Sequence, residues 1–255
     1  MIQNLGSPLL LRPKAHLSAK GKNPVRVILS TWRVVGVSLG LLVLFGGSFA
    51  STLLLLSDKA LQPDHGSLPL LQNLGLGSLT LGFSLALLTN FIPRIAPLTA
   101  PVYALTAGLF TSTLSLILEP RYPGIATQTA VLSLMIALVA LILYALGWIK
   151  PTRRFVSVVL LSTTAISLLF LIGLLFSLFG WHLKVLSGEG LGGLMWYAFI
   201  ATIASLNLLI DFERIDSLRK SPQPEYLPYH VGLGLLVSLA WLYLSVLRLQ
   251  ARSKG

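Results

Sequence analysis

A carboxylate closes the sixth long uncharged run of this chain, in Ser205-Leu-Asn207-Leu-Leu-Ile-Asp211-Phe-Glu213-Arg214-Ile-Asp216. On a helix, Asn207, Asp211 and Arg214 share one face at i, i+4 and i+7. An acid within or beside a membrane span is expensive, so this face is the first candidate for proton or cation chemistry. Two placements are open. Asp211 either sits at the headgroup boundary and pairs locally with Arg214, or turns into the bundle and is desolvated. Near a helix C-terminus it would also oppose the macrodipole, which calls for a cation or hydrogen-bond donor beside it. The last apolar run carries Ser238, Trp241, Ser245 and Arg248 at i, i+3, i+7 and i+10. This stripe reads either as helix-packing hydroxyls or as the lining of a weakly polar ion path. Arg94 is the only charge between His65 and Leu118, in the turn Ile92-Pro-Arg-Ile-Ala-Pro. It either snorkels to the surface or reaches a bundle acid as its counter-charge.

Other chemistries find no residues to carry them. The chain has no cysteine, which excludes disulfides and thiolate catalysis. His16, His65, His182 and His230 have no ligand spacing among them, so neither a metal site nor a cofactor is expected. There is no pair of intramembrane carboxylates for aspartyl proteolysis, no His-Glu metal signature, no Ser-plus-base arrangement for nucleophilic catalysis and no phosphate loop ending in Gly-Lys. The chain therefore reads as a protein that is not an enzyme.

The elements that must position these residues follow from the charge distribution. The 27 charged side chains of this 255-residue chain are confined to 78 residues. The other 177 form seven uncharged runs: Val34–Ser57, His65–Pro93, Ile95–Leu118, Tyr122–Ile149, Phe155–Leu183, Gly190–Ile210 and Tyr226–Leu247. Each exceeds the roughly 18 apolar residues that mark a spanning helix, and period-two alternation is absent, so a water-soluble fold and an outer-membrane barrel are both excluded. The expected fold is an all-α integral membrane protein with seven transmembrane helices. Core spans fall at about Val34–Leu56, Leu68–Asn90, Pro97–Leu118, Thr127–Ile149, Phe155–Phe179, Leu191–Ile210 and Tyr229–Leu247. Gly46-Gly47, Gly75-x-Gly77 and Gly192-Gly193 offer places for close helix approach or are ordinary packing glycines.

The net charge of +11 has no basic stripe interleaved with aromatics, and no nucleic-acid partner is expected. It orients the chain instead. With the N-terminus inside, cytoplasmic segments before the last span hold 13 Lys and Arg against 3 on the other side. The tail's Arg248, Arg252 and Lys254 fall outside if all seven spans cross, and inside if the last segment packs without crossing. The expected organisation is a basic cytoplasmic arm over 1–33, a membrane domain over 34–248 and a basic tail over 249–255. The arm (Arg12, Lys14, Lys20, Lys22, Arg26) orients the first span, which is too long for a cleaved signal, and can rest on anionic headgroups. The location expected is the cell inner (plasma) membrane.

Three segments carry a resemblance: Ala100-Pro-Val-Tyr-Ala-Leu105 with Gly108-Leu-Phe110 and Glu119-Pro-Arg-Tyr-Pro-Gly-Ile-Ala-Thr-Gln128; Leu206-Asn-Leu-Leu-Ile-Asp-Phe212; and Gly234-Leu-Leu-Val-Ser-Leu-Ala-Trp-Leu-Tyr-Leu-Ser-Val-Leu-Arg248. Together they resemble the bacterial branch of the Bax inhibitor-1 family, over roughly Leu68 to Arg248. The resemblance implies seven hydrophobic helices with the last one central. It also implies a proton-sensitive calcium leak channel, or a modulator of membrane stress and membrane proteolysis that binds a membrane protein partner. In leak-competent members an acid in the sixth helix and another in the seventh form a proton-sensing pair, latched by a basic residue near the second and third helices. Asp211 matches the first acid and Arg94 the latch, with Arg214 a second counter-charge. Ser238 occupies the position of the second acid, and Ser245 and Ala107 stand where this branch commonly has glutamates. The implied site is thus Asp211, Asn207, Ser238 and Ser245, acting on calcium or another cation with one carboxylate in place of two.

Overall fold

A chain surrounded by hydrocarbon must satisfy its backbone polar groups within itself, and an uncharged run of this length does so as a helix. The computed structural model describes residues 24–61, 67–178, 190–219 and 224–254. Among these are seven long helices and no strand: α1 (Pro24–Leu61), α2 (Ser67–Phe91), α3 (Ala96–Leu118), α4 (Ile125–Ala145), α5 (Arg153–Leu178), α6 (Gly190–Arg219) and α7 (Leu227–Ser253). All seven contain a segment long and apolar enough to cross a membrane. His16, His65, His182, the arm's Arg12, Lys14, Lys20 and Lys22, and the side chain of Arg26 lie outside the described residues.

Boundaries depart from the hydropathy reading where local chemistry intervenes. α4 stops at Ala145, four residues before Ile149, because Gly147 adopts φ 71° and the amides of Gly147 and Trp148 turn back to the carbonyls of Tyr144 and Leu143. α6 continues nine residues past Ile210, since charge ends lipid solubility without ending a helix. At the start of α4, Pro123 leads into Gly124 at φ 78°. The carboxylate of Glu119 accepts hydrogen bonds from the backbone amides of Gly124 (2.6 Å) and Ala126 (3.2 Å). A carboxylate on the exposed amides of a helix start is favoured by both hydrogen bonding and the helix dipole.

α3 packs between α1 and α2, and α7 packs against α1, α2, α3, α4 and α6. Small side chains permit this. A Cβ at Gly108 would lie 2.5 Å from the Phe45 carbonyl oxygen, and one at Gly232 would lie 2.9 Å from Leu41. Close approach therefore occurs at these two glycines. Gly46, Gly47, Gly77 and Gly192 have open space around them, because they face away from neighbouring helices. The buried hydroxyls of Thr111, Ser112, Thr113 and Ser115 bond to carbonyls of their own helix, and that of Ser115 also meets the Tyr243 hydroxyl of α7 at 2.7 Å.

The last helix runs the length of the bundle. At its start, Glu225 pairs with Arg33 of α1 at 3.3 Å. At its end, Gln250 accepts a bond from Thr129 (2.8 Å) and Lys254 donates to Gln128 (2.7 Å) in the first turns of α4. The tail's cations thus lie at the end of the bundle opposite Arg33.

Candidate functional site

The C-terminal half of α6 and the N-terminal half of α7 run antiparallel and bring Asp211 against Ser238. The Ser238 hydroxyl donates to Asp211 Oδ2 at 2.5 Å, and Arg214 Nη1 lies 3.5 Å from Asp211 Oδ1. Asp211 is 3% exposed, whereas the Arg214 side chain is half exposed. Both placements considered from the sequence are thus partly realised, since the acid is buried in the bundle and keeps its local partner. α6 runs eight residues beyond Asp211, which removes the acid from the last turn where the helix dipole acts. Gly234, one turn before Ser238, leaves space over the second carboxylate oxygen; a Cβ there would sit 3.7 Å from Oδ1.

Asp211 and Ser238 open on a cavity of about 580 Å³ whose polar lining also includes Asn90, Thr163, Asn207, Arg214 and His230. Asn207 Nδ2 donates to Thr163 Oγ1 of α5 (2.8 Å) and to the Ile203 carbonyl (2.9 Å). α5 thereby contributes a polar wall that no motif singled out, because one threonine in an apolar run looks like any packing hydroxyl. His230, for which the sequence shows no ligand spacing, lines the cavity from the first turn of α7, and its buried Nδ1 has no hydrogen-bond partner among the described residues.

Two expected members stand elsewhere. Arg94 is exposed in the 3₁₀ turn Pro93–Ile95, away from the cavity lining, so Arg214 is the cation beside the acid. Ser245 is buried and donates to the Trp241 carbonyl of its own helix at 2.7 Å, outside the cavity. Arg248, lower on the same stripe, lies 5.1 Å from the ring centre of Phe170 in a cation–π contact. The stripe therefore splits into a polar end at Ser238 and ordinary packing below. Leu208, Leu242 and Val246 pack into one apolar cluster in the layers beneath Asp211 and Ser238.

What these features define is a seven-helix integral membrane protein with, among the described residues, one buried acid, at the α6–α7 contact. The model of the family described as Bax inhibitor 1 like matches residues 14–255, and the chain belongs to that family. No curated protein and no solved structure matches the chain significantly.

Proposed function

We propose that this chain is a non-enzymatic protein of the inner membrane that passes or regulates the passage of cations, calcium among them. Asp211 is the titrating site, Ser238 and Asn207 are its polar neighbours and Arg214 is its counter-charge. The observation that supports this reading is the buried Asp211 carboxylate facing a polar cavity within the bundle. Intramembrane acids in such positions mark ion and proton paths. Proton occupancy of a lone carboxylate decides whether the cavity presents a net negative charge to a cation beside Arg214. The basic residues place the N-terminal face in the cytoplasm, with 13 Lys and Arg there against 6 opposite once the tail is included. Calcium-loaded vesicles containing the chain are expected to leak faster than lipid-only vesicles; equal leak at every pH would sink the proposal.

A second reading is favoured by the apolar cluster of Leu208, Leu242 and Val246 beneath the acid. On it the chain is a non-conducting modulator that binds a membrane partner such as a protease or stress-response complex. Crosslinking within the membrane should then recover a stable partner, and recovery of none would count against it.

A further inference from the structure

The cavity at Asp211 does not end in a polar wall. A second cavity, about 370 Å³, adjoins it and shares Ala86 and Asn90 of α2 and Val237 and Trp241 of α7. Its remaining lining is almost wholly apolar and includes Leu79, Phe83, Leu87 and Phe110. Each volume lies within the roughly 300–1,000 Å³ usual for small-molecule sites. α2 rests mainly on α3 and touches α7 lightly, and Leu79, Phe83 and Leu87 are exposed. The apolar half is therefore reachable from the surrounding hydrocarbon.

Depth matches this division. Asn90, Arg214 and His230 lie near the ends of α2, α6 and α7 on the face that carries Arg33, at the level of one membrane interface. Phe83 and Leu79 are seven and eleven residues back along α2 from Asn90, or about 10 and 16 Å deeper at 1.5 Å per residue. A polar chamber at headgroup level thus continues into an apolar one at acyl-chain level. The polar chamber holds one anion and one cation. Arg214, half exposed and only loosely held by Asp211, keeps most of its five donors free for a phosphate, and the unpartnered His230 Nδ1 lies in the same chamber. Asp211 offers its less occupied oxygen, Oδ1, to an ammonium.

We propose that the joined cavities bind one zwitterionic phospholipid from this leaflet, its ammonium on Asp211, its phosphate on Arg214 and an acyl chain in the groove between α2 and α7. The site accounts for a half-exposed arginine beside a buried acid, a pair that suits a headgroup carrying both signs.

The test is a competition between phosphatidylethanolamine and phosphatidylglycerol for the full-length protein in detergent, read by native mass spectrometry. The wild-type chain should retain one phosphatidylethanolamine, with a preference of roughly tenfold. Asp211→Asn should bring the preference close to one, and Ala86→Phe, which fills the shared wall, should cut retention of both lipids. Equal retention of the two lipids by the wild-type chain, or no retained lipid, would overturn the proposal without reference to any variant. Unchanged retention by Ala86→Phe would remove the acyl chain from this groove. Because lipid retention is read without ion flux, failure here and failure of the cation reading are separable.

Discussion

Ser238 and Asp211, 27 residues apart and on different helices, meet in a 2.5 Å hydrogen bond that directs a hydroxyl proton at a buried carboxylate. Resemblance to leak-competent relatives places a second acid at Ser238, and the structure puts the serine in contact with the acid it would have partnered. A hydroxyl there donates to one carboxylate without competing for its proton, so the contact holds one carboxyl group where an acid pair would hold two.

Removing that hydroxyl tests the relationship. Ser238→Ala leaves a buried carboxylate oxygen without its donor and is expected to cost about 1–3 kcal/mol. A lowered midpoint of thermal or detergent-induced unfolding would show it. Ser238→Asp places two carboxylates in contact, and like charges so close cannot both ionise. Its unfolding midpoint should depend on pH more steeply than that of the wild-type chain, and parallel profiles would count against the contact.

Gly108 sets the distance between α1 and α3. A methyl group there would meet the Phe45 carbonyl at 2.5 Å and Ser48 Cβ at 2.9 Å, so Gly108→Ala should destabilise by about 1–3 kcal/mol. Gly77→Ala, with nothing within 4 Å, should stay within about 0.5 kcal/mol of wild type. Comparable unfolding midpoints for the two variants would contradict the packing described.

Glu119 holds the start of α4 through two backbone amides. Glu119→Ala should lower stability by about 0.5–2 kcal/mol, and hydrogen exchange should quicken first over the opening turn of α4. Unchanged exchange there would exclude the capping role.

The seven spans were legible from charge alone, because the cost of carrying a charge into hydrocarbon is paid residue by residue along the chain. The meeting of Asp211 with Ser238 was legible only as an implication of family resemblance, since spacing fixes a helix face and not the neighbour it meets. Asn207, Asp211 and Arg214 do share a face. Thr163 and Asn90 completed the cavity unannounced, because isolated polar residues in apolar runs carry no pattern until α2 and α5 are packed. Of the two placements the sequence left open for Arg94, the exposed one is found in the turn, because a turn arginine points where its turn directs it and spacing does not fix that direction. Hydropathy also set the end of α6 too early, since the segment Asp211 to Arg219 carries five charged residues yet remains helical.

Topology has a direct check in a chain without cysteine. Glu225→Cys and Lys254→Cys lie at opposite ends of α7. In intact cells an impermeant thiol reagent should label Lys254→Cys, whereas Glu225→Cys should react only after permeabilisation. Labelling of both from one side would contradict the full crossing of α7, and the reverse pattern would invert the orientation.

The central claim, that Asp211 governs cation passage, is tested most directly by calcium flux from vesicles containing the wild-type or the Asp211→Asn chain, measured from mildly acidic to mildly alkaline pH. The account predicts a protein-dependent flux that varies with pH in the wild-type chain and loses that variation in Asp211→Asn. Flux no greater than in lipid-only vesicles, or the same pH response in both chains, would contradict it.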